Sequence, residues 1–470
     1  MSIIGKVGRS SPKIRVLGFS IHLVLLLGAI TMIYPFMLMI SASFKSAVDN
    51  SKLTLIPEYF YNDEALFRKY VEARYNEESG RMMENYGGAY LSFSEVSVPK
   101  IYNPTLYADW KEFSSQKRES YGTYDFYLSE HYGRGVYPRN QRLLRKLLRK
   151  ENDGELTKFN LRYGTGAQSW EEIAIEEKEI LSRNFMSSQN GYLGRFQEFK
   201  LAAPDWHRVY INLDGHFIQS GLYPAFGGDL NKLNRELKTR YQSWDQIYLS
   251  AECPPPSDPL RSWWIDYVRD NLNIHHIRIK PPARGAFRSA LAEKYGTIDL
   301  LNTTWNTAYD SFEELNIPER IPDSGAIVDD LSFFVHGKAA PEDLKILSIS
   351  NDWREFLQKK YQSPPDLNFP MQQIEYGTFL EHKGAIRKEF LIRNYVMVLD
   401  QMLNDSRSLR NTLIYCLLSI LLAVTVNPLA AYALSRFKPR FAYQVIMLFM
   451  LTMAFPAMVI GIPNFLMLKN

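Results

Sequence analysis

"NPLAAYALSRFKPRFAYQ", Asn427 to Gln444, places three basic residues, Arg436, Lys438 and Arg440, between two long uncharged runs. Those runs are 411–434 and 441–468, and a third, 16–40, stands near the amino terminus. At about 1.5 Å of rise per residue, each is long enough to cross a bilayer. The mean hydropathy of the 470-residue chain is only -0.25, because the apolar residues are clustered around a polar middle. The expected class is therefore an α-helical membrane protein, with one membrane helix at the start and two at the end.

The flanks set the orientation. Lys6, Arg9, Lys13 and Arg15 precede the first run with no acid among them, and cytoplasmic flanks are the ones enriched in Lys and Arg. The basic turn at 435–440 meets the same rule independently. The amino terminus is thus expected inside and the polar middle outside. A cleaved signal peptide is the alternative for the first run, but its apolar part is too long and no small-residue cleavage site follows.

Cys253 in the polar middle and Cys416 in an apolar run cannot pair without crossing environments. The formal net charge of +4 is spread among acids and suggests no nucleic-acid partner. "RLLRKLLRK", Arg142 to Lys150, alternates leucines with cations at helical spacing, which fits a core-facing stripe with a solvated face; contact with anionic lipid is the other reading. No metal, phosphate-loop or cofactor motif is present, so no cofactor is expected.

The outer region repeats itself. "SFSEV" at Ser92, "SWEEI" at Ser169, "SWDQI" at Ser243 and "SFEEL" at Ser311 each read as a helix start, with Ser as N-cap and acids in the first turn. Aromatic helices such as "DWKEF" at Asp109 and "DWREF" at Asp352 accompany them. The expectation is a mainly helical domain with internal repeats, whose aromatics form the core of each repeat rather than a sugar-stacking platform.

"YGTIDLLNTTWNTAYDSFEEL", Tyr295 to Leu315, faintly resembles a segment of glycoside hydrolases of the beta-galactosidase type. Such enzymes need two carboxyl groups at a defined separation. Glu171, Glu172, Glu313 and Glu314 are available, but their place in the repeat favours capping.

A longer resemblance is to permease subunits of carbohydrate ABC importers of the maltose-permease type. It rests on "YPFMLMISASFKS" from Tyr34, "LIPEYF" from Leu55, "IRNYVMVL" from Ile392, "LRNTLIYCLLSILLAVTVNPLAAYALSRFKPR" from Leu409 and "FPAMVIGIPNFLM" from Phe455. It implies three helices of an incomplete permease fold in the bacterial cytoplasmic membrane. The division is then a basic tail 1–15, a first membrane helix 16–41, an extracytoplasmic insertion 42–390, an Asn-Tyr linker 391–410, a second membrane helix 411–434, a basic turn 435–440, and a third membrane helix with the start of an outer segment, 441–468.

The resemblance also implies partners: a second permease subunit, two ABC ATPase subunits, an extracytoplasmic solute-binding protein, and a sugar or oligosaccharide as cargo. The chain itself would not be an enzyme. Tyr34, Asn427 and Pro456, polar or helix-breaking groups at membrane depth, become candidates for the substrate path. The long insertion and the absence of the family's coupling loop before Asn470 depart from the pattern and suggest an amino-terminal fragment. The competing expectation is a membrane-anchored extracytoplasmic domain that binds or processes glycans. An outer scaffold without a ligand is the third.

Overall fold

In the computed structural model, Pro12–Ala42 is one helix of apolar residues, with Pro35 inside it and side chains such as Leu25, Met32 and Phe36 exposed. The structure describes residues 12–454 except 89, 129–138, 174–179, 184–190, 205–206, 323–324, 362–368, 401, 404–407 and 438–439. Lys6, Arg9, Lys438 and Pro456 lie outside the described residues. The chain divides into two units, 1–395 and 396–470.

The second unit contains the helices Ser408–Phe437, with Pro428 inside it, and Ala442–Ala454. Among the described residues, two helical stretches have the length and composition to cross a membrane, Val16–Ala42 and Leu409–Phe437. The apolar stretch of the last helix, Ala442–Leu451, is shorter. The expected three-span permease fold is thus supported only as far as two candidate spans among the described residues, and 455–468, the rest of the expected third helix, lies outside them.

Within the first unit the repeat is real, but its form differs from the expected one. Each copy is a helix, a turn through left-handed residues, a second helix, and one turn of 3-10 helix. The helix pairs are Asp63–Arg74 with Ser79–Asn85, Arg139–Glu151 with Leu156–Tyr163, and Arg284–Tyr295 with Ile298–Trp305. In the remaining copy, Leu213–Phe217 runs through a wider turn, Ile218–Leu222, into Tyr223–Ala225, and Leu230–Leu237 follows.

The serine motifs are the 3-10 turns Phe93–Glu95, Trp170–Glu172, Trp244–Gln246 and Phe312–Glu314, not helix starts. The serines are extended, and their side chains cap nothing there. Instead the carboxylate or amide three residues after each serine reaches back to accept the backbone N–H just before that serine. The pairs are Glu95 with Leu91 at 3.1 Å, Glu172 with Gln168 at 2.9 Å, Gln246 with Gln242 at 2.8 Å and Glu314 with Asp310 at 3.1 Å. The chain then leaves extended, because Val96, Ile173, Ile247 and Leu315 must be driven into the core, where each is at most 2% exposed.

A second device recurs that sequence reading missed. Asn160, Asn234 and Asn302 each stand nine positions before the repeat serine. Each donates from Nδ2 to a carbonyl seven residues on, of Ala167, Tyr241 or Tyr309, at 2.8 Å in all three. Each Oδ1 accepts the backbone N–H of that same residue and the hydroxyl of Thr165, Thr239 or Thr307. One side chain on each helix thus satisfies both backbone groups of a residue in the loop that follows and holds that loop against the helix end.

Two short antiparallel pairs tie the repeats together. Phe126–Tyr127 (β1) pairs with Val209–Tyr210 (β2), and Ile277–Ile279 (β3) with Leu344–Ile346 (β4). The helices carrying "DWKEF" and "DWREF" meet at Trp110 and Trp353, whose rings lie 5.8 Å apart, with Phe113 5.3 Å from Trp353. These rings are buried, so they are core. On helix Arg139–Glu151, Leu144 and Leu148 are buried while Lys146 and Lys150 are exposed, which is the core-facing stripe with a solvated face.

Candidate functional site

A cavity of about 1200 Å³ lies where the segment before β1, the strand β3 and the segment after β4 converge. Two of its carboxyl groups matter most. Asp125 closes a turn immediately before β1: its Oδ2 accepts the Gly122 N–H at 2.7 Å, and its own carbonyl accepts the Ile211 N–H at 3.0 Å. Asp352 stands in the first turn of helix Ile349–Lys360, whose N-cap Ser348 accepts the Asn351 N–H at 3.1 Å.

Asp352 accepts the Tyr121 hydroxyl at 3.1 Å and pairs with Lys117 at 3.6 Å. Burial pushes the Asp125 carboxyl up to about 6, with the charge of Asp352 adding to the rise, while the Gly122 N–H and Lys200 oppose it. Asp125, held protonated into the weakly acidic range, thus shares one cavity with a second carboxyl group whose charge it feels, and acid-base cleavage of an acetal uses two carboxyl groups of this kind at a defined separation.

His275 and Tyr124, two of the aromatic residues of the wall, are stacked with centroids 3.7 Å apart and planes 8° from parallel. The imidazole is fixed at both nitrogens, Nδ1 at 2.9 Å from Asn273 Oδ1 and Nε2 at 3.0 Å from the Pro322 carbonyl. It is a positioned surface, not a free base. Such a planar face suits the apolar side of a sugar ring.

Of the carboxylates singled out from the sequence, Glu172, Glu313 and Glu314 are elsewhere, and the Glu171 side chain lies outside what is described. Glu172 and Glu314 close their own turns, and Glu313 pairs with Arg288 at 3.0 Å while largely exposed. Asp125 and Asp352 were not legible as a pair, because 227 positions of sequence part them, Asp125 sits in no motif, and Asp352 opens "DWREF", which reads as the start of an aromatic helix. Tyr34 is exposed on helix Pro12–Ala42, and Asn427 is exposed on helix Ser408–Phe437 of the other unit. Neither lines a described cavity, and Pro456 lies outside the described residues. Cys253 and Cys416 are both free thiols.

The "IRNYVMVL" segment has a local task. Asn394 donates from Nδ2 to the carbonyls of Ser43 at 2.8 Å and Lys45 at 3.0 Å, and the Tyr395 hydroxyl lies 2.6 Å from Ser43 Oγ. These two residues fasten the exit of the first apolar helix.

The comparisons with known proteins correct the permease reading. The matched family model is that of glycoside hydrolase family 42, beta-galactosidase, and no permease family matches. With the permease reading go the second permease subunit, the two ATPase subunits, the solute-binding protein and the expectation of a non-enzymatic transport subunit. The physical reason is that much of the resemblance was carried by apolar runs, whose composition any bilayer-crossing helix shares. No curated protein and no solved structure matches the chain. The beta-galactosidase match covers residues 260–356, well under half of the chain; it contains the segment 295–315 and contributes His275, β3 and Asp352 to the large cavity.

Proposed function

We propose that this chain is a membrane-tethered glycan-processing enzyme that hydrolyses a glycosidic bond of the beta-galactoside class in the large cavity. Asp125 is the proton donor to the leaving oxygen. Asp352, held by Tyr121 and Lys117, is the partner carboxylate that attacks the anomeric carbon or activates water. The Tyr124–His275 stack supports the sugar face. The helix Pro12–Ala42 anchors the domain 42–390 on the side opposite the basic amino-terminal tail, that is, outside the cell.

The observation that carries this reading is that the segment similar to beta-galactosidases supplies Asp352 to the same cavity in which the Asp125 carboxyl is pushed up to about 6. Tyr34, Asn427 and Pro456 have no part in this chemistry and stand as membrane-segment positions.

The test is turnover of nitrophenyl glycosides, beta-galactoside first, by the full chain in detergent. Asp125→Asn and Asp352→Asn are each expected to lower kcat by about a hundredfold or more. Turnover that survives both substitutions, or none on a broad glycoside panel by the folded parent chain, overturns it.

A further inference from the structure

A second, smaller cavity of about 310 Å³ lies apart from the first and is lined by Arg81, Glu84, Tyr127, Arg183, His216 and Asp270 among others. It exists because Gly215 has no side chain. A Cβ there would stand 1.7 Å from the Glu84 carbonyl oxygen, so only glycine lets helix Leu213–Phe217 press against helix Ser79–Asn85 and bring His216 beside Glu84.

Two arginines that line this space have guanidinium groups that are incompletely satisfied. Arg81, 6% exposed, is held through Nε by Glu78 at 2.9 Å and lies 4.2 Å over the Tyr127 ring, but its Nη1 and Nη2 have no partner. Arg183 donates from Nη2 to the carbonyls of Val268 and Arg269, while its Nε and Nη1 have none. A buried donor without an acceptor is costly, more so when charged, so four of them on two arginines that line one cavity leave capacity for an acceptor-rich occupant. We propose that this cavity is a binding site for a small oxyanion, a free phosphate or sulfate or the single carboxylate of an acidic sugar, gripped between Arg81 and Arg183.

The remaining groups fit an anion. Burial lowers Arg183 to about 10, a cost that Asp270 only partly offsets, so the cation lacks a full counter-charge. Burial raises the Glu84 carboxyl to about 7, with Arg81 and the Tyr127 hydroxyl opposing and Glu78 adding slightly. Protonated, Glu84 becomes a donor to the anion. His216, whose Nδ1 lies 2.6 Å from the Tyr267 hydroxyl, is driven down to about 4 by burial and by His276, so it stays neutral. Asp270 is itself paired with His336 at 2.8 Å. An anion therefore binds more tightly as pH falls through about 7.

The test is isothermal titration of the full chain in detergent with sodium phosphate, sodium sulfate and sodium glucuronate in separate arms. One saturable site for at least one probe is expected, weakened about tenfold or more by Arg183→Gln and by Arg81→Gln. Tighter binding of glucuronate than of both inorganic ions assigns the site to acidic sugars, and the reverse order to free ions; either supports an oxyanion site. Glu84→Gln, which keeps the fold's shape, is expected to remove the loss of affinity between about pH 6 and about pH 8. No saturable binding of any probe by the parent chain overturns the proposal. So does binding that is unchanged in Arg183→Gln and Arg81→Gln chains that melt as the parent does. Because this site and its readout share no residue with the large cavity, failure of one leaves the other standing.

Discussion

The Tyr121 hydroxyl donates to Asp352 Oδ2 across 3.1 Å although 231 residues of sequence part them. That contact, with Lys117 on the same carboxylate, orients Asp352 within the cavity that Asp125 shares. Tyr121→Phe is expected to lower kcat about tenfold with little change in KM, since it removes orientation and not a sugar contact. Steady-state kinetics on the preferred glycoside read the split.

The proton donor must carry its proton, so turnover is expected to fall as pH rises through about 6, the range to which Asp125 is raised. The Asp352 charge contributes to that rise. In Asp352→Asn the residual activity should therefore lose its alkaline limb at lower pH than in the parent chain, which a pH profile of kcat/KM measures.

The same shift has a stability consequence. Asp125 binds its proton more tightly folded, near 6, than at its ordinary value of 3.8, so its contribution is greatest at low pH and is lost as pH rises from about 4 to about 6. At neutral pH the folded chain carries that cost. Asp125→Asn keeps an acceptor for the Gly122 N–H and is expected to raise stability there by up to about 2 kcal/mol, with no gain at pH 4, as thermal melts across pH would record.

Asn234 ties the end of its helix with three hydrogen bonds, two of them to the backbone of Tyr241. Asn234→Ala is expected to cost about 1–3 kcal/mol, because the freed groups lie partly buried. Asn234→Asp keeps the Oδ1 acceptor but sets a charged oxygen against the Tyr241 carbonyl in place of the donor, so it too is expected to destabilise. Thermal melts of the parent and the two variants read the losses, and a parent-like melt of Asn234→Ala would show that the latch adds no stability.

Asn394 holds the carbonyls of Ser43 and Lys45. Its replacement by Ala is expected to loosen the chain just after the first apolar helix and to speed proteolytic cleavage between about residues 43 and 55, with activity in the large cavity retained. Limited proteolysis in detergent follows the cut.

Much of this architecture was legible locally. The uncharged runs at 16–40 and 411–434 form long helices whose length and composition would suit a bilayer, as their lack of charge announced. The serine motifs announced a repeat, but not its geometry. A Ser with an acid three residues later is equally a helix start or a closed single turn, and the choice fell to the turn because the next aliphatic residue has a core to enter. The asparagine latch could have been found by aligning the copies, as Asn recurs nine positions before each of three serines.

Sequence by itself determined the apolar helices, the basic flanks, the helical repeats and the aromatic stripes, because each depends on the free energy of residues near one another in the chain. Tertiary structure alone decided which carboxylates meet. Asp125 and Asp352 come together through the pairing of β1 with β2 and of β3 with β4, and through the packing of Trp110 on Trp353. Gly215, silent in the sequence, sets the approach of two helices that builds the arginine cavity. Contacts of that range are fixed by how surfaces fill space, which no local pattern encodes.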